Sequence, residues 1–131
     1  MYIQNKISTN APGLYDITKE VKNAVEQSGI TEGACAVFSK IGTSGVLVTS
    51  FWDTKGHEDI MDDLERVFPP RTNYASRAEP KMAAASSAAA LSGRPLDFII
   101  HEKNLLLGSS QGIYLMDTVG GREIEYGIKC L

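Results

Sequence analysis

The chain has 131 residues, 43% of them hydrophobic and 22% charged, which suits one globular domain with a real core and excludes a disordered chain. Its 13 basic and 16 acidic side chains leave a net charge of −3, which argues against a protein whose main task is to coat nucleic acid. No apolar run approaches the ~20 residues that span a bilayer, Met-Tyr-Ile-Gln-Asn-Lys is no signal-peptide core, and Cys35 and Cys130 make no disulfide framework, so a cytoplasmic protein with reduced thiols and no membrane partner is expected.

Tyr2 to Ser8 alternates weakly and reads as a first strand, broken by Ala11-Pro12-Gly13. Ile17, Val21, Ala24 and Val25 then form one stripe of a helix, with Asp16 as its N-cap and Gly29 as its stop. Ala34 to Ser39 is a short buried strand. Gly42-Thr43-Ser44-Gly45 is a turn, and Val46 to Ser50 is the next strand.

From Glu58 the period is helical again. Ile60, Met61, Leu64 and Val67 share one face, and Glu58, Asp59, Asp62, Asp63 and Glu65 share the other, until Pro69-Pro70 ends the helix. Arg71 to Pro80 reads as a loop. Lys81 to Ser92 is rich in alanine and serine, which predicts a helix packed closely against a neighbour, ending at Gly93.

Asp97–His101, Asn104–Leu107 and Ile113–Met116 are short strands, and Gly120-Gly121 is a hairpin signal. In Glu123 to Leu131, Ile124, Tyr126, Ile128 and Cys130 alternate inward. With no repeat and no linker, the expectation is a single α+β domain over residues 1–131, a mostly antiparallel sheet with two or three helices.

Chemistry-bearing residues are few. With only His57 and His101, one chain cannot build a three-histidine metal site. His57 reads as a solvated helix-entry residue and His101 as a strand-end surface residue. Cys35 and Cys130 lie on apolar strand faces, where free cysteine acts as a small hydrophobe. Gly42-Thr43-Ser44-Gly45 and Gly108-Ser109-Ser110-Gln111-Gly112 expose N–H groups and hydroxyls that suit an anion, and they suit plain turns better. Arg71, Arg77, Lys81 and Arg94 either converge on a phosphate or carboxylate or are scattered surface charge. The acidic face from Glu58 to Glu65 is a solvated helix face.

Taken in order, these segments carry a resemblance. Gly108-Ser109-Ser110-Gln111-Gly112-Ile113-Tyr114-Leu115-Met116-Asp117, with Arg122 after the Gly120-Gly121 turn, resembles the G-T-W-Q-G-I-[YF]-L-x-E segment of the YjbQ family. That family is uncharacterised and often labelled thiamine-phosphate synthase-like. Gly42 to Ser50 is similar to its H-T-T-A-[GA]-V-T-I-N-E, and Asp53 with Asp62-Asp63-Leu64 to its D-P…D-[IL]. Tyr74-Ala75-Ser76 is similar to Y-x-H, and Ala85-Ser86-Ser87-Ala88-Ala89 with Gly93 to A-H-I-K-[AS]-x-L-G.

The resemblance implies a YjbQ-like single domain, a homotrimer, and a site near a subunit boundary. It also implies a cluster of three histidines for a metal or anion, and those places hold Ile41, Ser76 and Ser86 here. The Asn-Glu pair is Thr49-Ser50, and the motif tryptophan is Ser110. Isoleucine has no donor atom and serine is a poor ligand for a borderline metal, so no metal and no cofactor are expected. The expected function is that of a degenerate member, non-catalytic, binding a small anionic ligand or serving in assembly. The ligand candidates are Thr43, Ser44, Asp53, Ser76, Arg77, Ser86, Ser109, Ser110 and Gln111. The alternative is an active enzyme of the thiamine-phosphate synthase-like class with a metal-free site rebuilt from the hydroxyls, Asp53 and Gln111.

Overall fold

A computed structural model describes all residues, 1–131. Eight strands and three helices follow one another: β1 (Tyr2–Thr9), β2 (Gly13–Asp16), α1 (Thr18–Ser28), β3 (Glu32–Ser39), β4 (Ser44–Ser50), α2 (Lys55–Val67), α3 (Pro80–Ser92), β5 (Leu96–His101), β6 (Asn104–Leu105), β7 (Gln111–Asp117) and β8 (Arg122–Cys130). They form two antiparallel sheets, β1-β8-β3-β5-β6 and β2-β7-β4. The α+β expectation therefore holds, with the strands divided between two sheets. No helix is long and apolar enough to cross a membrane.

The main core gathers Ile17, Val21, Ala24 and Val25 of α1, Val37 of β3, Val46 of β4, Ile113 and Leu115 of β7, and Ile124, Tyr126 and Ile128 of β8. The other face of the small sheet carries Leu14, Leu47 and Met116, which pack on Leu64 of α2 and Ala88 and Ala89 of α3. A sheet covered on both faces wants unbroken apolar strands, and Gly112 to Asp117 is buried at every position. β1 is covered on one face only and alternates accordingly.

The alanine-rich α3 lies against β4 so closely that a methyl added at Gly45 would meet the Gly93 carbonyl oxygen at 1.6 Å. The Val46 N–H donates to that same oxygen at 3.1 Å. Only small residues permit such an approach, which is why this helix holds so few large side chains.

Four local expectations need correction. The chain after Pro12 first forms β2, a four-residue strand too short to leave a periodic signal. Asp16 lies one position before the N-cap, Ile17, and its Oδ1 accepts the Thr18 N–H at 2.9 Å. The helix expected from Glu58 begins at Lys55, whose N–H donates to Asp53 Oδ1 at 3.0 Å. Gly120 and Gly121 do adopt positive φ, +80° and +68°. They form no hairpin, because β7 and β8 belong to different sheets and the turn carries the chain between them.

Candidate functional site

β4 and β7 pair over their whole length, from Ser44 opposite Asp117 to Ser50 opposite Gln111. That ladder is six residue steps long, about 20 Å at the usual strand rise. It separates the candidate residues into two groups. Thr43 and Ser44 stand at one end; Ser109, Ser110, Gln111 and Asp53 stand at the other. Within one chain these residues do not share a site.

At the first end an ion pair joins the sheets. Asp117, fully buried, accepts N–H groups of Val119 and Gly120 at 3.0 Å each, and the Arg122 guanidinium at 2.8 Å. Arg122 also donates to Thr43 Oγ1 at 2.5 Å and to the Thr43 carbonyl at 3.1 Å. Burial pushes the Asp117 carboxyl up, but the Thr9 hydroxyl, the Val119 N–H and Arg122 together hold it below the usual range. Ser44, also buried, donates to the Met116 carbonyl at 2.8 Å. The cation that reaches Thr43 is thus Arg122, and its charge is matched by Asp117. Arg77 is exposed, and no hydrogen bond or ion pair ties it to Thr43.

At the second end Gln111 Oε1 accepts the Gly108 N–H at 2.7 Å, closing its own turn, and the Ser110 carbonyl accepts the Phe51 N–H at 2.9 Å. His57 lies in the first turn of α2. Its Nε2–H donates to the Ser50 carbonyl at 2.8 Å, and its ring meets the edge of Tyr114 with centroids 4.7 Å apart. It is a half-buried packing residue rather than a solvated one. Burial, with Asp16 adding to it, pushes the Tyr114 hydroxyl above its ordinary range.

The remaining candidates are dispersed. Ser76 Oγ accepts the Ala78 N–H at 3.1 Å within its loop, and Ser86 is exposed on α3. Arg71 stacks on Tyr74, 3.9 Å from the ring centroid, and Lys81 lines a cavity between α2 and α3. Ile41 is half-buried and packs on the main core. His101 is a half-exposed strand-end residue, as expected, paired with Glu32 at 2.8 Å. Cys35 and Cys130 face each other across β3 and β8 with their Sγ atoms 3.8 Å apart. Burial, and then the neighbouring Cys130, pushes the Cys35 thiol up to about 12, so it is a poor nucleophile.

No three His, Cys, Asp or Glu side chains are grouped to hold a metal ion. The side chains of Ile41, Ser76 and Ser86, a hydrocarbon and two hydroxyls, do not fit the three-histidine metal site that the motif resemblance implies. Sequence reasoning passed over the Asp117–Arg122 pair, although a signal for it exists. Arg122 continues the inward positions Ile124, Tyr126 and Ile128, and Asp117 continues Ile113 and Leu115. Opposite charges at two positions due to face the core point to a pair.

Residues 3–131 match the UPF0047 protein YjbQ-like family. The chain is 27% identical to the UPF0047 protein YugU of Bacillus subtilis over 95% of this chain and 93% of that protein. It is 26% identical to the UPF0047 protein MJ1081 of Methanocaldococcus jannaschii over 100% and 94%. A crystal structure of an uncharacterized YjbQ/UPF0047 protein from Clostridium acetobutylicum superposes with a TM-score of 0.92 at 32% identity, covering 98% of this chain and 99% of that one. A YbjQ-like protein of unknown function from Sulfolobus solfataricus shares the fold, with a TM-score of 0.91 at 24% identity over 99% and 95% of the two chains.

Proposed function

Because this chain belongs to the YjbQ-like UPF0047 family, we propose that it is a non-catalytic member that works through self-assembly, as a homotrimer. The observation that carries this reading is where the candidate polar groups spend their hydrogen bonds. Thr43 is held by Arg122, Ser44 by Met116, Asp53 by Lys55, Ser76 by Ala78 and Gln111 by Gly108. Thr43 and Ser44 are tied to β8 and β7, and Asp53, Ser76 and Gln111 each close their own turn. The one carboxylate of that set, Asp53, accepts the Lys55 N–H at the start of α2, and Ile41 packs hydrocarbon on the core where the motif resemblance implies an imidazole. The alternative of an enzyme with a rebuilt site would need residues from both ends of the β4–β7 ladder, and hence from two copies.

Weak binding of a small anion is the second reading. It is favoured by the Arg122 Nε–H, which is buried without an acceptor. The carboxylate of Asp117 already neutralises that guanidinium, so phosphate gains little there. Light scattering at micromolar concentration is expected to give three chain masses, isothermal titration with inorganic phosphate no heat at millimolar levels, and elemental analysis no stoichiometric zinc. A monomer overturns the assembly reading, and one zinc per chain overturns the non-catalytic one.

A further inference from the structure

The chain's two cysteines are 95 positions apart in sequence, and the fold sets them directly opposite each other. Cys35 of β3 and Cys130 of β8 both face the core, 0% and 2% exposed. Their neighbours fix the kind of pairing. The Ala34 N–H donates to the Leu131 carbonyl at 3.0 Å, and the Leu131 N–H donates to the Ala34 carbonyl at 2.8 Å. Hydrogen-bonded and non-hydrogen-bonded pairs alternate along an antiparallel ladder, so Cys35 and Cys130 form a non-hydrogen-bonded pair. Cα atoms of such pairs are about 4.5 Å apart, inside the range of roughly 4.4–6.8 Å that disulfides span. The sulfur atoms already stand 3.8 Å apart on the same face of the sheet. Rotation about their Cα–Cβ bonds can bring them to the bonding distance of about 2 Å with no change of register.

The fold holds the two thiols unequally. Cys35 lies in the middle of β3, an inner strand flanked by β8 and β5. Cys130 is the last residue of β8, and Leu131 beside it is 64% exposed. Strand ends open more readily than strand middles, so Cys130 meets solvent first. Burial, and then the neighbouring Cys130, pushes the Cys35 thiol up to about 12, which withholds Cys35 from a first attack. The second of those causes disappears once Cys130 is capped and carries no charge.

We propose that Cys35 and Cys130 are a site of reversible oxidation, at which a low-molecular-weight disulfide bonds β3 to the end of β8 and clamps the large sheet. The inference is independent of the self-assembly reading. In the first step Cys130 gives its proton to solvent and its sulfur attacks one sulfur of the small disulfide. That S–S bond breaks, and one small thiolate leaves and takes up a proton. In the second step Cys35 loses its proton and attacks Cys130 Sγ as the strand end closes, and the second small thiolate leaves and is protonated. Two protein thiols are oxidised to one disulfide, and the small disulfide is reduced to two thiols. A lone buried cysteine is a small hydrophobe. Two that meet in the one kind of pair whose geometry suits a bond are a site.

The test incubates the folded wild-type chain with excess glutathione disulfide at pH 8 and reads free thiols, intact mass and Tm. Uncatalysed exchange at buried sulfur is slow, so the change is expected over hours. Free thiols should fall from two per chain to none, and the chain should become lighter by two hydrogen atoms with no glutathione attached. Closing a loop of about 95 residues should raise Tm by about 10 °C or more. Dithiothreitol should restore both thiols and the original Tm. Cys35→Ala should instead keep one glutathione on Cys130, and Cys130→Ala should stay unmodified. Refolding from denaturant in the same buffer removes the barrier of burial and should give the same bond. A chain that refolds with both thiols free overturns the proposal, because the pair then does not bond even when accessible. So does a folded chain that keeps both thiols for a day where the refolded one loses them. A glutathione adduct that persists on the wild type, chains joined to one another, or an oxidised chain with an unchanged Tm overturns it equally.

Discussion

Replacing Arg122 with alanine strands a buried charge. Arg122 has 19% of its side chain exposed and Asp117 none, with N and O 2.8 Å apart. Removing one partner of such a pair costs about 3–5 kcal/mol, mainly because the other charge stays buried without its counter-ion. Asp117 keeps the Val119 and Gly120 N–H groups, which places the expected loss near the lower end, about 3 kcal/mol. For a chain of this size that lowers Tm by about 12 °C, at roughly 4 °C per kcal/mol. Urea unfolding followed by circular dichroism measures the loss. Lys40 and Glu125 provide the control: their side chains are each 41% exposed and 3.5 Å apart, so Lys40→Ala should cost less than about 1 kcal/mol. Adding Asp117→Asn to Arg122→Ala should reveal a coupling of about 1–3 kcal/mol, because the second change removes the stranded charge. If Arg122→Ala costs no more than Lys40→Ala, the pair is a surface bridge and does not clamp the two sheets.

Acid should act through the same carboxylate. Asp117 is held below its ordinary value of 3.8, so its stabilisation is complete above that pH and lost as pH falls through the folded-state value. The stability gap between wild type and Asp117→Asn should therefore stay constant from neutrality down to about pH 5 and close in strong acid; a gap that widens in acid contradicts the assignment. Gly45→Ala drives a methyl to 1.6 Å from the Gly93 oxygen and should cost about 3 kcal/mol or abolish folding, whereas a methyl at Gly42 meets nothing within 4 Å and should change stability by less than about 1 kcal/mol. The buried thiols should resist an aromatic disulfide reagent at pH 8 in the native protein and titrate as two per chain in denaturant, given a Cys35 thiol pushed up to about 12; fast labelling of the folded chain would show that β3 and β8 open readily at that point.

Most elements of this fold were legible in the sequence, because helix and strand leave periods within a few residues of chain. The stripe of Ile17, Val21, Ala24 and Val25 and the alternation of Ile124, Tyr126, Ile128 and Cys130 both face the core as expected. The poverty of α3 in large side chains predicted close packing, and Gly45 against Gly93 is that contact. The motif order also sufficed to point to the family. What a period cannot encode is which strand pairs with which, and in what register. β2 is too short to carry a pattern, and Gly120-Gly121 has the same local chemistry whether it closes a hairpin or leads from one sheet to another. Register alone sets Cys35 opposite Cys130 and places Thr43 and Gln111 at opposite ends of one ladder. It was also the tertiary fold that matched Asp117 with Arg122 and left Arg77 on the surface, because a charge finds its partner through space, across strands whose order no local stretch of chain contains.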